Sequence, residues 1–155
     1  MSRIVGFIAC VFYPFCLVFG LYVVAHGHLT PGGGFQGGAV MATGAALMIV
    51  SGMFTEEDRA RKYIRYKWIE AAGLLLFAAL AFGGLFHGGT FFYNWMAGAG
   101  GWFGELVPPG PNSGNLNTSG TIPLMNLAVG VEVLGGISII LIQMIRAMKE
   151  NTHVD

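Results

Sequence analysis

Residues His26 to Gly38 read HGHLTPGGGFQGG and separate two apolar runs of the 155-residue chain. We call this stretch the glycine motif. The flanking runs are apolar enough to enter a bilayer, whereas the motif is broken by proline and glycine and carries two histidines. Non-helical backbone near membrane depth is tolerated only where protein or a water-filled cavity satisfies its N–H and C=O groups. The motif therefore predicts a structured site rather than a simple loop.

The composition is that of a membrane protein. Hydrophobic residues make up 54% of the chain and charged residues 10%, well below the roughly 25% charged residues of soluble domains. The formal net charge is zero, and nucleic-acid binding would require a basic face. We therefore expect no nucleic-acid partner and expect lipid around the chain.

Four apolar segments are each close to the ~20 residues that a helix needs to cross a bilayer. They predict an all-α integral membrane protein with four transmembrane helices, folded as a single membrane domain over residues 1–155, with spans at about 4–25, 35–54, 68–86 and 122–144. Small residues recur at helical spacing along the second span, which predicts close packing against other helices.

The distribution of charge predicts the orientation. All eight Lys and Arg residues lie in the N-terminus, in residues 55–67 and in the C-terminal tail. Because cytoplasmic loops carry the excess of Lys and Arg, we expect both termini on the cytoplasmic side of the cell membrane. The acidic and basic run Glu56–Lys62 is then interpreted as a solvated cytoplasmic turn.

The segment 87–121, which we call the outer loop, lies on the opposite side. It is long, rich in glycine, proline and aromatic residues, and free of Lys and Arg. Loops of this length are uncommon unless they have a function. Two interpretations remain open, a lid against neighbouring subunits and a loop that lies on lipid.

Two features of the glycine motif suggest a cofactor or a metal, and neither suggestion holds. The spacing Gly32-x-Gly34-x-x-Gly37 matches the dinucleotide fingerprint, but long apolar spans stand where that fingerprint needs short strands. His26 and His28 point in different directions on a helix, and no nearby Cys or acidic residue completes a metal site. We expect no cofactor and no metal. The two histidines either hydrogen-bond headgroups and the following loop or transfer protons.

Glu132 is the most unusual residue of the chain, because it lies ten residues, about 15 Å, into the last span. An intramembrane carboxylate costs roughly 2.5 kcal/mol or more to insert. It is interpreted either as a proton or cation relay, or as a hydrogen bond to a partner subunit. Glu70, near the start of the third span, is interpreted as a paired interfacial residue or as the mouth of an inner half-channel. With Asn126, these residues and the two histidines are the candidates for an ion path.

The glycine motif resembles the signature of the MnhB/MrpB family, the B subunit of multi-subunit Na⁺/H⁺ antiporters. The four-helix layout and the segment Gly120–Pro123 before the last helix support the resemblance. Related subunits occur in the antiporter-like modules of archaeal membrane-bound hydrogenases and sulfane-sulfur reductases. The residues that carry the motif, with an expected role in packing, are Pro31, Gly32, Gly33, Gly34, Phe35, Gly37 and Gly38.

The resemblance implies a non-catalytic subunit that packs against other membrane subunits and supports a sodium and proton path. The alternative is a structural adaptor of an ion-pumping hydrogenase or sulfane-sulfur reductase, with redox catalysis in other subunits. Two features depart from the family: Asn126 stands where bacterial subunits would carry Asp, with Glu132 deeper, and the outer loop is longer. A self-contained enzyme acting on quinone or metal is disfavoured, because the sequence has no ligand cluster and no nucleophile and base pair.

Overall fold

A computed structural model describes residues 3–52, 54–109 and 114–152 of the chain. Within these residues the regular secondary structure is α-helical, apart from one isolated bridge in the outer loop. The helices are α1 (Arg3–Ala25), α2 (Gly34–Val50), α3 (Glu56–Phe86) and α4 (Ile122–Thr152). The all-helical prediction is confirmed. In the described part of the chain, α1, α3 and the portion Ile122–Lys149 of α4 are each long and apolar enough to cross a membrane.

Helix α2 is shorter than predicted. It has 17 residues and ends at Val50, so the expectation that the second span reaches residue 54 was wrong. The N–H of Ser51 still bonds the carbonyl of Leu47 at 3.0 Å, but Gly52 follows with φ at 75°. A glycine in this left-handed conformation commonly ends a helix.

Helix α3 is longer than its apolar run. Thr55 caps it: the Thr55 Oγ1 accepts from the N–H of Asp58 at 3.2 Å, and the Asp58 Oδ2 accepts from the N–H of Thr55 at 3.2 Å. This reciprocal pair is a capping box, and three acidic residues in the first turn suit the helix dipole. Residues Glu56–Lys62 are therefore the start of a helix, and their interpretation as a turn was wrong.

The helices pack in the spatial order α1, α2, α4, α3, with a smaller contact between α1 and α4. The surfaces between them are lined by small residues, whereas many large apolar side chains face outward, among them Phe7, Phe15, Leu75 and Phe86. This inside-out distribution suits a lipid surrounding, in which small residues let helix backbones approach closely. The connections 26–33 and 87–121 meet at one end, the motif end, and the start of α1 and the end of α4 lie at the other, the charged end.

The outer loop is held together by its own side chains. Asn94 donates to the carbonyl of Ser119 at 2.9 Å, and its Oδ1 accepts from the N–H of Thr121 at 2.8 Å. Further along, Glu105 accepts from the Asn117 amide at 2.8 Å. Trp102 remains 83% exposed. An exposed aromatic side chain of this kind suits either of the two surroundings predicted for the outer loop, a neighbouring subunit or lipid.

Candidate functional site

The glycines of the motif bring α2 against the backbone of α1. A Cβ atom placed on Gly37 would lie 2.5 Å from the carbonyl oxygen of Gly20, and one placed on Gly20 would lie 2.7 Å from the carbonyl oxygen of Gly37. Neither position has room for a side chain. The pair therefore sets the closest approach of α1 and α2.

The same motif also brings α2 against α4. A Cβ on Gly38 would lie 2.7 Å from the carbonyl oxygen of Gly130, and one on Gly34 would clash with the backbone of Asn126. At the start of α2, the Gln36 Oε1 accepts from the N–H of Gly33 at 2.9 Å. These contacts fix α2 between its two neighbours.

The turn before α2 contains the other residues of the motif. Pro31 and Gly32 lie in this connection, with Gly32 at φ 149°, where a side chain would be strained. Phe35 is 61% exposed. Of the motif residues, Phe35 thus points away from the helix packing.

Asn126 lies beneath the motif, one turn into α4. Cβ atoms on Gly27 and Gly33 would lie 2.8 Å from its Nδ2 and 3.0 Å from its Oδ1. The Nδ2 is buried and has no hydrogen-bond partner among the described residues. The glycines thus leave room for a polar side chain with an unused donor.

The two histidines have separate surroundings. The His26 Nδ1 lies 3.0 Å from the carbonyl oxygen of Tyr22, and the two rings are tilted by 32° with centroids 4.1 Å apart. Both ring nitrogens of His28 are buried, with no hydrogen bond of good geometry in the described structure. Burial lowers the pKa of His28, the charge of His26 lowers it further, and the nearby backbone of Leu116 and Asn115 acts in the opposite direction. At the described positions, no three His, Cys, Asp or Glu residues are placed to share a metal ion.

Glu132 and Glu70 both lie at the interface of α3 and α4, which the sequence did not indicate. A Cβ on Gly73 would lie 2.6 Å from the backbone nitrogen of Glu132, and a Cβ on Gly135 would lie 2.6 Å from that of Glu70. Each glutamate thus faces a glycine of the other helix. We call this arrangement the glutamate seam.

The carboxyl group of Glu70 points along the seam towards the turn that follows Glu132. Its Oε1 would be 3.3 Å from a Cβ on Gly136, which lies four residues, about 6 Å, beyond Glu132. Both glutamates are half-buried. Neither carboxyl group has a hydrogen bond or an ion pair to any residue that the structure describes.

Four of the five candidates for the ion path lie in two places, and the fifth, His26, lies apart from both. Asn126 and His28 lie at the motif end, under the motif and the outer loop respectively, and Glu132 and Glu70 lie in the seam. His26 contacts Tyr22 of α1 instead. Two half-buried carboxyl groups within apolar helices can carry protons, coordinate a small cation or accept hydrogen bonds from another chain.

Two residues that the sequence did not indicate, Asn94 and Glu105, hold the outer loop together. Both lie in a loop, where no helical pattern relates them to other residues. For Glu70 the sequence indicates only a position near the start of the third span. The signal that relates it to Glu132 is the glycine pattern, Gly73 on one helix and Gly135 and Gly136 on the other.

Comparison with known proteins identifies the family of this chain. Residues 4–139 match the family described as "Domain related to MnhB subunit of Na+/H+ antiporter". An uncharacterised protein of Methanocaldococcus jannaschii is 34% identical over 138 residues, which cover 88% of this chain and 50% of that protein. The chain thus spans about half the length of this curated relative. The match over most of its length shows that the chain belongs to the family of domains related to the MnhB subunit of Na⁺/H⁺ antiporters.

Proposed function

We propose that this chain is a non-catalytic membrane subunit of a multi-subunit, Mrp-type Na⁺/H⁺ antiporter module. It crosses the cell membrane four times as a single membrane domain, with both termini in the cytoplasm. With 17 residues, α2 lies at the short end of the range for a spanning helix. Its position between α1 and α4 supports its role as a span beside the three longer ones.

The proposed ion path is inferred from the glutamate seam. Ionisable residues inside a membrane are costly and commonly mark ion or proton pathways. Glu132 and Glu70 lie in one seam between two largely apolar helices. In this function they pass protons or sodium towards neighbouring subunits, and Asn126 and the histidines support the path at the motif end.

The test is ion exchange by the intact complex with neutralised glutamates. We expect Glu132→Gln and Glu70→Gln to assemble normally and to lower Na⁺-dependent proton exchange in vesicles, because the amide cannot carry a proton or a charge. Glu57→Gln is the control, since Glu57 is an exposed carboxyl at the charged end. Normal exchange by both seam variants would rule out the ion-path role.

The second candidate is a structural adaptor, in which Glu132 hydrogen-bonds a neighbouring subunit of an antiporter, hydrogenase or sulfane-sulfur reductase complex. The half-buried carboxyl groups without partners in the described chain favour it, since a polar group in a membrane gains from such a bond. In that case Glu132→Leu loses neighbouring subunits on purification. A fully assembled complex with this variant would count against the adaptor.

A further inference from the structure

A cleft of about 600 Å³ opens between α3 and α4 at the charged end. Its walls include Arg59, Tyr63 and Ile64 of α3 and Ile142, Gln143 and Arg146 of α4. The volume lies in the range of small-molecule sites. The cleft lies apart from both the glutamate seam and the glycine motif.

Arg59 gives the cleft an unused donor. Its side chain is only 13% exposed, and its Nη1 donates to Glu56 Oε1 at 3.0 Å. Its Nε is buried and has no acceptor in the described part of the chain. A buried donor without a partner is costly. An oxygen anion in the cleft would supply the missing acceptor.

The polar and apolar walls of the cleft lie at different depths along the helix axes. Arg146 lies four residues, about 6 Å, beyond Ile142 and just past the predicted end of the last apolar span at about residue 144. The headgroup layer of a bilayer is about 5–7 Å thick on each side. Ile64, which is 57% exposed, leaves the apolar wall open to the surroundings. The cleft thus offers an apolar wall at acyl-chain depth and guanidinium groups at phosphate depth.

The surrounding charge favours an anion. Residues 55–67 and 143–149 contain seven Lys and Arg residues and three Asp and Glu residues. Two acidic residues line the cleft: Glu56, which already pairs with Lys149 and Arg59, and the exposed Glu57. Basic pockets between membrane helices on the cytoplasmic side commonly bind anionic lipid headgroups.

We propose that this cleft binds the phosphodiester headgroup of an anionic phospholipid. Arg59 donates to the phosphate, Arg146 adds positive charge, and an acyl chain lies along Ile64 and Ile142. The proposal goes beyond the ion-exchange function and requires only the membrane placement proposed above.

Lipid retention by the purified full-length chain tests the proposal. Native mass spectrometry compares phosphatidylglycerol with phosphatidylcholine at equal concentration, and inorganic phosphate serves as a soluble competitor. We expect preferential retention of phosphatidylglycerol. Arg59→Gln and Arg146→Gln should each lower it about fivefold, which corresponds to about 1 kcal/mol per basic residue near an anionic surface.

Arg61→Gln is the matched control, because Arg61 lies on the same helix and is 75% exposed. It should retain the lipid as the unchanged chain does. Arg59→Lys keeps the charge and should retain more lipid than Arg59→Gln, which separates lost binding from lost folding. Equal retention of the two lipids, or no effect of either Gln variant, would overturn the proposal. Displacement by millimolar phosphate would assign the cleft to a soluble anion instead.

Discussion

Gly73 of α3 lies directly against the backbone of Glu132 of α4, so that a Cβ atom at position 73 would be 2.6 Å from the Glu132 nitrogen. The reciprocal contact joins Gly135 to Glu70. The two helices therefore approach as closely as their backbones allow at the level of both carboxyl groups. Any side chain on either glycine must separate the helices and displace the glutamates.

The first prediction concerns this contact. Gly73→Ala should destabilise the chain by about 1–3 kcal/mol from overpacking, partly offset by up to about 1 kcal/mol of helix propensity. Thermal unfolding in detergent measures the effect. Gly101→Ala is the control, since a Cβ there has no neighbour within 4 Å. A melting temperature for Gly73→Ala at or above that of the unchanged chain would show that the contact is not tight.

The second prediction concerns the closure of the outer loop. Asn94→Ala removes the bonds to Ser119 and Thr121 and should cost about 1–3 kcal/mol, because buried backbone groups lose their partners. Limited proteolysis should cut residues 87–121 faster. Thr90→Ala, in the same loop, removes a hydroxyl without a hydrogen bond in the described structure and should change little. Unchanged cleavage of Asn94→Ala would mean that the loop is held by other contacts.

The third prediction is a pH dependence of the outer loop. Hydrogen bonds from Asn117 and Asn115 hold the pKa of Glu105 below its ordinary value of 4.5. A depressed carboxyl pKa stabilises the folded loop above the ordinary value, and this contribution is lost as the pH falls through the lowered pKa. The protection of the Glu105 amide from hydrogen exchange, taken relative to the intrinsic exchange rate at the same pH, should therefore decrease at acid pH. Glu105→Gln should abolish that decrease, and if the decrease persists in the variant another group is responsible.

The fourth prediction concerns His28 at the motif end. Burial lowers its pKa from 6.5, so the folded protein keeps this imidazole neutral at pH 7. Because the unfolded chain takes up the proton first, stability should fall as the pH drops below 6.5 towards the lowered pKa. NMR titration of the ring should give a midpoint below 6.5, and His28→Gln should unfold with less pH dependence. A midpoint at or above 6.5 would contradict the burial of this ring.

Much of the architecture was readable in the sequence because it follows from local composition. Apolar runs long enough for a bilayer predicted the helices, and the glycine motif predicted the family. The ends of helices were less accurate. Hydropathy does not register a capping box such as that of Thr55, so α3 begins at Glu56, twelve residues before its predicted span.

The sequence by itself determined the membrane character, the order of the helices along the chain and the family, because these depend on composition and on a contiguous motif. Only the tertiary structure decided that Glu70 and Glu132 share one seam and that His28 lies under the outer loop. Such pairings depend on which helix faces which. In an apolar surrounding, that choice is made by backbone contacts at glycines, and these leave no periodic signal in hydropathy.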